Sequence, residues 1–226
     1  MFTELKYISE VWSKAWCSRS FRNQFALSLL LLIGVCIHQF HFLREWQARP
    51  GIEINDLILD QLPPHNFSLP IFILEYSTMM MVFIFLLGKP DQLVKGFQMF
   101  ALVLFARTVT VYFFPLDPPK DMIPLNDPMA NIFLHTHDVF VSNVLFFSGH
   151  VSAITLLMLL VGNRYLKAFA FIAAITVGVL IMWQHVHYSL DVICAPVISY
   201  MVYKFILYIH RETRYGIELA DAGFGK

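Results

Sequence analysis

The chain alternates between long apolar runs and shorter polar connections. Six runs approach the roughly 20 residues that a helix needs to cross a bilayer, and they cover residues 24–43, 69–88, 96–115, 145–162, 166–184 and 190–209. The two longest connections contain Pro63-Pro64 and Pro118-Pro119 together with acidic residues, which marks them as loops. The pattern predicts an all-α polytopic membrane protein, a bundle of six transmembrane helices.

The segment before the first apolar run is amphipathic. Residues 1–23 combine Trp12 and Trp16 with Lys14, Arg19 and Arg22, a mixture typical of a helix that lies along the membrane surface rather than of a cleaved signal peptide. We therefore divide the chain into an N-terminal interfacial segment (1–23), a six-helix membrane catalytic domain (24–210) and a cytoplasmic C-terminal tail (211–226).

Composition excludes several classes of protein. The chain is 58% hydrophobic and 14% charged, too apolar for a soluble domain. Its 16 Lys and Arg residues balance 16 Asp and Glu residues, so no excess of positive charge points to nucleic acid. Cys17, Cys36 and Cys194 are odd in number and widely spaced, which suggests neither a disulfide framework nor a zinc site.

The positions of the basic residues predict the orientation, because Lys and Arg in short loops stay on the cytoplasmic side during insertion. With the N-terminus inside, twelve of the 16 basic residues fall on the cytoplasmic side. The four on the other side are Arg44, Arg49, Arg107 and Lys120. We therefore expect both termini in the cytoplasm and any site at the opposite end of the bundle to face a periplasm, the cell exterior or an organelle lumen.

Several ionisable residues sit at matching depths near the non-cytoplasmic ends of different spans. Arg107, His150 and Asp191 each lie twelve to fourteen residues from an inner basic residue, roughly 18 to 21 Å along a helix. His187 precedes Asp191 by four residues, one turn further out on the same helix face or in the turn leading into the helix. Charges at such depth are costly and indicate function, so we expect these side chains to converge in one cavity.

These residue types fit phosphoryl-type transfer. His187 would be the nucleophile that attacks phosphorus, while Asp191 holds its other ring nitrogen and stabilises the imidazolium. His150 would protonate the leaving alkoxide and later accept a proton from the incoming acceptor. The catalytic residues are thus predicted to be His150, His187 and Asp191.

Three further residues are candidates for binding the phosphate. Ser148 and Gly149 stand at the start of a predicted helix, where a hydroxyl and free backbone N–H groups can cradle an anion. Arg107 would add fixed positive charge, although a long side chain at that depth can also anchor itself among lipid headgroups.

The motifs resemble a known family. Phe147-Ser148-Gly149-His150 and His187-Tyr188-Ser189-Leu190-Asp191 resemble the Ser-Gly-His and His-x-x-x-Asp motifs of the type-two phosphatidic acid phosphatase superfamily, and the His-Tyr-Ser-x-Asp form is similar to its sphingomyelin synthase-like branch. Arg107-Thr108 before a proline-containing loop is also similar to that branch. The resemblance implies six helices, a site on the non-cytoplasmic face and a role for Tyr188 in substrate binding.

The resemblance also implies an activity. It suggests an integral membrane lipid phosphotransferase that moves a phospho-headgroup through a phosphohistidine, from a phospholipid donor to a diacylglycerol or ceramide-like acceptor, without metal or other cofactor. The alternative is a lipid phosphate phosphatase, in which water is the acceptor. Phe147 stands where the phosphatases usually have Pro, and their Lys-x6-Arg-Pro signature is absent, which favours the transferase. The headgroup, the acceptor and the oligomeric state stay open.

Other histidines have more ordinary interpretations. His135-Thr136-His137-Asp138 has the residue types of a metal cluster, but alternate positions on a helix point apart, so we expect no metal there. His185, two residues from His187, should face a different neighbour and bond to it, although contact with a substrate headgroup is possible. Paired histidines could also hold haem in a helical bundle, and the chain could bind lipids without catalysis. The haem alternative explains neither Asp191 nor Ser148-Gly149, and the lipid-binding alternative is favoured only if alanine at His150 or His187 leaves the cellular role intact.

Overall fold

The computed structural model describes residues 2–46, 49–127 and 146–221, and within them the chain forms seven α-helices and one short 3-10 turn at Leu59–Gln61. The helices are Phe2–Cys17 (α1), Arg19–Trp46 (α2), Ser68–Leu87 (α3), Pro90–Phe113 (α4), Gly149–Leu160 (α5), Arg164–Trp183 (α6) and Ser189–Asp221 (α7). The predicted all-α class is confirmed.

Five of these helices are long and apolar enough to cross a membrane. The apolar stretches are Arg19–Gln39 of α2, α3, α4, α6 and Ser189–Arg211 of α7. The run predicted as a span over 145–162 contains α5, which has only 12 residues. A helix of that length is about 18 Å long and does not match a hydrocarbon core of about 30 Å. The count of six spans therefore stays a prediction.

Local chemistry explains where several helices begin. The break between α1 and α2 falls at Ser18, whose hydroxyl accepts a hydrogen bond from the backbone N–H of Phe21 at 3.3 Å. Asn163 caps α6 by accepting from the N–H groups of Tyr165 and Leu166. Pro90 opens α4, where the missing N–H costs nothing.

The N-terminal helix packs onto the bundle. The indole of Trp12 donates a hydrogen bond to the carbonyl of Leu87, the last residue of α3, at 2.7 Å. Its ring also makes edge contacts with Phe21 and Phe25 of α2. These contacts place α1 at the end of the bundle where α3 finishes, and its position at a membrane interface stays a prediction.

Helix α5 is the centre of the bundle. It packs against α3, α4, α6 and α7, and Ile154 and Leu156 are fully buried. The hydroxyl of Ser199 on α7 donates to the carbonyl of Ser152 on α5 at 3.3 Å. Because four helices surround α5, a residue in its first turn is within reach of several of them.

Two long loops cover the end of the bundle where α5 begins. The first long loop (residues 49–67) leads into α3, and the second long loop (residues 114–127) follows α4. They pair through Ile52, whose N–H donates to Pro115 O at 2.9 Å and whose carbonyl accepts from Asp117 N at 3.2 Å. Gly51 permits this approach, since a Cβ there would lie 2.5 Å from Asp117 N. The loops thus form a joined cap over the turn between α6 and α7.

Candidate active site

The two sequence motifs meet through a backbone hydrogen bond. The N–H of Ser148, just before α5, donates to the carbonyl of Asp191, in the first turn of α7, at 3.2 Å. Both residues are fully buried. The Ser-Gly-His segment and the His-x-x-x-Asp segment are therefore joined at one point inside the bundle, although more than 40 residues separate them in sequence.

His187 lies in the turn before α7, which is one of the two positions expected from its spacing to Asp191. Its Nδ1 is 3.4 Å from Oδ2 of Asp191, and the same oxygen accepts the N–H of Tyr188 at 3.1 Å. The backbone N–H of Asp191 in turn donates to the carbonyl of Tyr188. This arrangement turns Nδ1 of His187 toward the carboxylate and leaves Nε2 as the nitrogen available for chemistry.

The surroundings of His187 favour the neutral imidazole. Burial lowers the pKa of His187, and the nearby charges of Arg107 and His150 lower it further, while the Asp191 carboxylate opposes the shift. A nitrogen nucleophile must be unprotonated to attack phosphorus. The lowered pKa therefore favours the unprotonated form of His187.

Arg107 reaches the site from α4 and rests against Gly149. A Cβ at position 149 would collide with Nη1 of Arg107, so the guanidinium lies in space that the glycine leaves open at the start of α5. Asp191 supplies the opposite charge that acts on Arg107. The guanidinium thus lies next to the first turn of a helix, where both its charge and the helix dipole favour an anion.

The hydroxyl of Ser148 caps the start of α5. The side chain of Ser148 accepts the N–H of Val151 as the N-cap of α5. The preceding residue, Phe147, is fully buried with φ of 35°, a left-handed conformation that proline cannot adopt because its ring fixes φ near −65°. The backbone of this chain therefore excludes proline at position 147.

His150 faces a carboxylate that the sequence analysis did not identify. Its Nε2 lies 3.8 Å from Oε2 of Glu75 on α3, and its ring makes an edge contact with Phe72. Glu75 is buried and is the one charged residue in α3. A carboxylate within an apolar span is a signal of function, and it could have been found on that ground.

Three buried polar atoms of the site make no hydrogen bond within the residues that the structure describes. They are Oδ1 of Asp191, Oε2 of Glu75 and Nδ1 of His150. Buried polar atoms are normally paired, because leaving one unpaired costs about 1–3 kcal/mol. Their concentration around two histidines and an arginine is typical of a site arranged for a substrate rather than for packing.

The remaining predicted residues have different surroundings. The hydroxyl of buried Tyr188 donates to Asp117 O at 3.1 Å and accepts from Ile54 N at 3.3 Å, so it holds both long loops, and its contact with substrate stays a prediction. His135, His137 and Asp138 lie outside the described residues. In the described ranges, no group of three or more His, Cys, Asp and Glu residues has the geometry to hold a metal ion.

Comparison with known proteins adds no family. No protein-family model matches the chain, and no curated protein matches it significantly.

Proposed function

We propose that this chain is an integral membrane lipid phosphotransferase, similar to the sphingomyelin synthase-like branch of the type-two phosphatidic acid phosphatases. The observation that carries the proposal is the hydrogen bond from Ser148 N to Asp191 O, which joins the two motifs. Around it stand a neutral nucleophile, a second histidine and an arginine. The five apolar helices support a substrate that is itself a membrane lipid.

In the proposed first step, Nε2 of His187 attacks phosphorus and a phosphohistidine forms as the bond to the lipid oxygen breaks. Asp191 stabilises the imidazolium through Nδ1, and Arg107 stabilises the charge on the phosphoryl oxygens. His150 gives a proton to the departing lipid alkoxide. The products of this half-reaction are a neutral lipid alcohol and the phosphorylated histidine.

The second step reverses the roles. The hydroxyl of a diacylglycerol or ceramide-like acceptor loses its proton to His150 and attacks phosphorus, which releases His187 and forms a new phospholipid. If the donor is a lipid phosphate and water takes the place of the acceptor, His187 passes the phosphoryl group to water, phosphate is released and the enzyme is a lipid phosphate phosphatase. We propose six spans, both termini in the cytoplasm, α1 at the membrane interface and the site on the non-cytoplasmic face.

The assay that tests the proposal uses the purified full chain and a phospholipid labelled at phosphorus. It is run with and without diacylglycerol or ceramide. A new labelled phospholipid that appears only with the acceptor supports the transferase, whereas release of phosphate or a water-soluble phosphoester indicates the hydrolase. Absence of label transfer to lipid, water and protein would refute phosphoryl chemistry at this site.

His150→Ala should lower turnover about 10²- to 10⁴-fold, because the leaving alkoxide then departs without a proton. A substrate that carries a nitrophenolate leaving group needs no proton and should recover most of the lost rate. The comparison is between kcat/KM for the alkyl and the nitrophenyl substrates. Equal losses on both substrates would contradict the proton-transfer role, and His65→Ala, an exposed loop histidine, should leave both rates unchanged.

Glu75→Gln should lower turnover about 10- to 100-fold and show the same leaving-group rescue, because the carboxylate acts through His150. The amide preserves size and removes the charge 3.8 Å from Nε2. In combination with His150→Ala it should add little further loss, since both changes remove one proton path. Fully multiplicative losses in the double variant would show that Glu75 acts independently.

A further inference from the structure

The turn between α6 and α7 (residues 184–188) is bound on both sides of His187 by the two long loops. The side chain of Gln184 accepts from Phe67 N at 2.8 Å and donates to Ile123 O at 3.1 Å, one contact to each loop. Tyr188 likewise bonds to Ile54 of the first loop and Asp117 of the second. The position of His187 therefore depends on the docking of both loops.

His185 makes the third such double contact, and its chemistry differs from the others. Its Nδ1 is 2.9 Å from the carbonyl oxygen of Lys120 in the second loop, and its Nε2 is 3.0 Å from the carbonyl oxygen of Leu62 in the first. The side chain is 7% exposed. Its backbone has φ of 57°, a left-handed conformation that costs energy for a residue with a side chain and persists only where surrounding contacts hold it. The expected hydrogen-bonded role of His185 is confirmed.

A carbonyl oxygen can only accept a hydrogen bond. A neutral imidazole carries one N–H and one lone pair, so it can serve only one of these two carbonyls and turns a lone pair toward the other. The imidazolium carries two N–H groups and serves both. We propose that His185 is a positioning residue for His187 that acts as an imidazolium, fastening both long loops across the turn when it takes up a proton.

The charges around His185 support a cation there. A cavity of about 470 Å³ opens beside it and is lined by acidic side chains from both loops. In the first loop, Glu53, Asp56 and Asp60 line this cavity, and in the second loop Asp121 does. Among the described residues that line it, Lys120 contributes the one ammonium, which is paired with Glu53 at 3.0 Å.

Several of the other ionisable groups near His185 have contacts of their own. The Asp56 carboxylate accepts the N–H of Ser189 at 2.7 Å and the N–H of Ile58 at 3.0 Å. Although burial works in the opposite direction, these hydrogen bonds lower the pKa of Asp56, so it stays charged through the neutral range. The exposed ring of His65 turns a single nitrogen toward Pro63 O, and burial raises the pKa of Tyr188. His185 is the group in this set whose charge decides a contact to both loops.

In this proposal, uptake of a proton by His185 strengthens the docking of the two long loops. Because an imidazolium can donate to both carbonyls and a neutral ring to only one, docking should be stronger at low pH and weaker at high pH, across the range between about pH 5 and 8 in which histidines change charge. The consequence for catalysis rests on the proposed function, in which His187 must stay neutral. Burial lowers the pKa of His187 and so favours its neutral form.

We call the contacts of His185 to Lys120 O and Leu62 O the clamp. Hydrogen exchange of the membrane-embedded full chain tests this clamp without reference to turnover. Exchange is followed from about pH 5.5 to about pH 9.5 at the hydrogen-bonded loop amides of Leu62, Asp117 and Ile123. The exchange times are adjusted at each pH so that an unprotected amide would exchange to the same extent. In the wild-type protein these amides should exchange about tenfold faster at the alkaline end. In His185→Gln, whose side chain does not titrate, the pH response should disappear, and in His65→Gln it should remain.

Two outcomes overturn the proposal. If the exchange rates of the loop amides in the wild-type protein do not depend on pH, the proposed role of His185 is excluded, even if no variant folds. If His185→Gln keeps the full pH response, that response belongs to another group. The kinetic readout is separate: kcat of the wild type should fall on the alkaline side, and His185→Gln should change the position or steepness of that limb, leaving only the fall that the acid role of His150 produces. A pH response of the loops in a protein that transfers no phosphoryl group would sustain the clamp and refute the transferase.

Discussion

His187→Gln should lower phospholipid turnover by at least about a thousandfold, because it removes the nitrogen that attacks phosphorus. The carboxamide is close in size to imidazole, and Oδ2 of Asp191, which loses the contact to Nδ1 of His187, still accepts the N–H of Tyr188. The helices and the loop contacts should therefore be retained. Initial rates on labelled phospholipid measure the loss, and thermal unfolding of the embedded protein measures the fold.

Trapping the intermediate separates a lost nucleophile from general damage. Wild-type protein given labelled phospholipid without an acceptor should carry label in a linkage that acid cleaves and base does not, as expected of a phosphorus–nitrogen bond. His187→Gln should carry none, and His65→Gln should behave as wild type. Label retained in His187→Gln, or turnover within about tenfold of wild type, would remove His187 from its proposed role.

The sequence could predict the His187 and Asp191 pair because both residues lie within one short segment. A spacing of four residues places both residues on one helix face, or places the first of them in the turn before the helix. In the structure His187 lies in the turn and Asp191 in the first turn of α7. Arg107 and His150 were expected near this pair because the rise per residue of a helix is fixed, and the structure brings both within electrostatic reach of His187. What could not be predicted is the bond from Ser148 N to Asp191 O, since it depends on how α5 and α7 pack.

Glu75 was missed for a reason that lies in α3 itself. This helix is apolar around its whole circumference, with one charged residue, so no polar stripe marks the face that turns inward. The sequence shows an unusual acid at that depth, but its neighbour is set by the rotation of α3 against α5. That rotation follows from packing, which a single sequence does not display.

Helix boundaries departed from the apolar runs where backbone bonding and hydropathy disagree. The first run begins near residue 24, yet α2 begins at Arg19 because polar residues can occupy helical turns outside the hydrocarbon. The run from 145 begins before α5, because Ser148 caps the helix and Phe147 has a left-handed backbone. In both places the hydropathy of a segment indicates whether it lies in lipid or in water, whereas the residues that cap a helix indicate where the helical backbone begins.

Asp191→Asn should lower kcat about 10³- to 10⁴-fold, close to the loss expected when a carboxylate that orients a catalytic histidine becomes an amide. The amide oxygen can still accept the N–H of Tyr188, as Oδ2 does at 3.1 Å. What disappears is the negative charge that stabilises the imidazolium of His187 during attack and that faces Arg107. The comparison is made on single-turnover rates, so that release of product does not mask the chemical step.

The pH profile distinguishes this role from a structural one. The Asp191 carboxylate raises the pKa of His187 against the lowering by burial, Arg107 and His150, so its removal should lower that pKa further. Neutral His187 is the active form, and the acid limb of kcat/KM should therefore move to lower pH in Asp191→Asn. A variant that had merely lost its fold would lose amplitude with the limb in place. A limb that stays in place or moves to higher pH, at any amplitude, would show that Asp191 does not act on His187 through charge, and the nucleophile would need another partner.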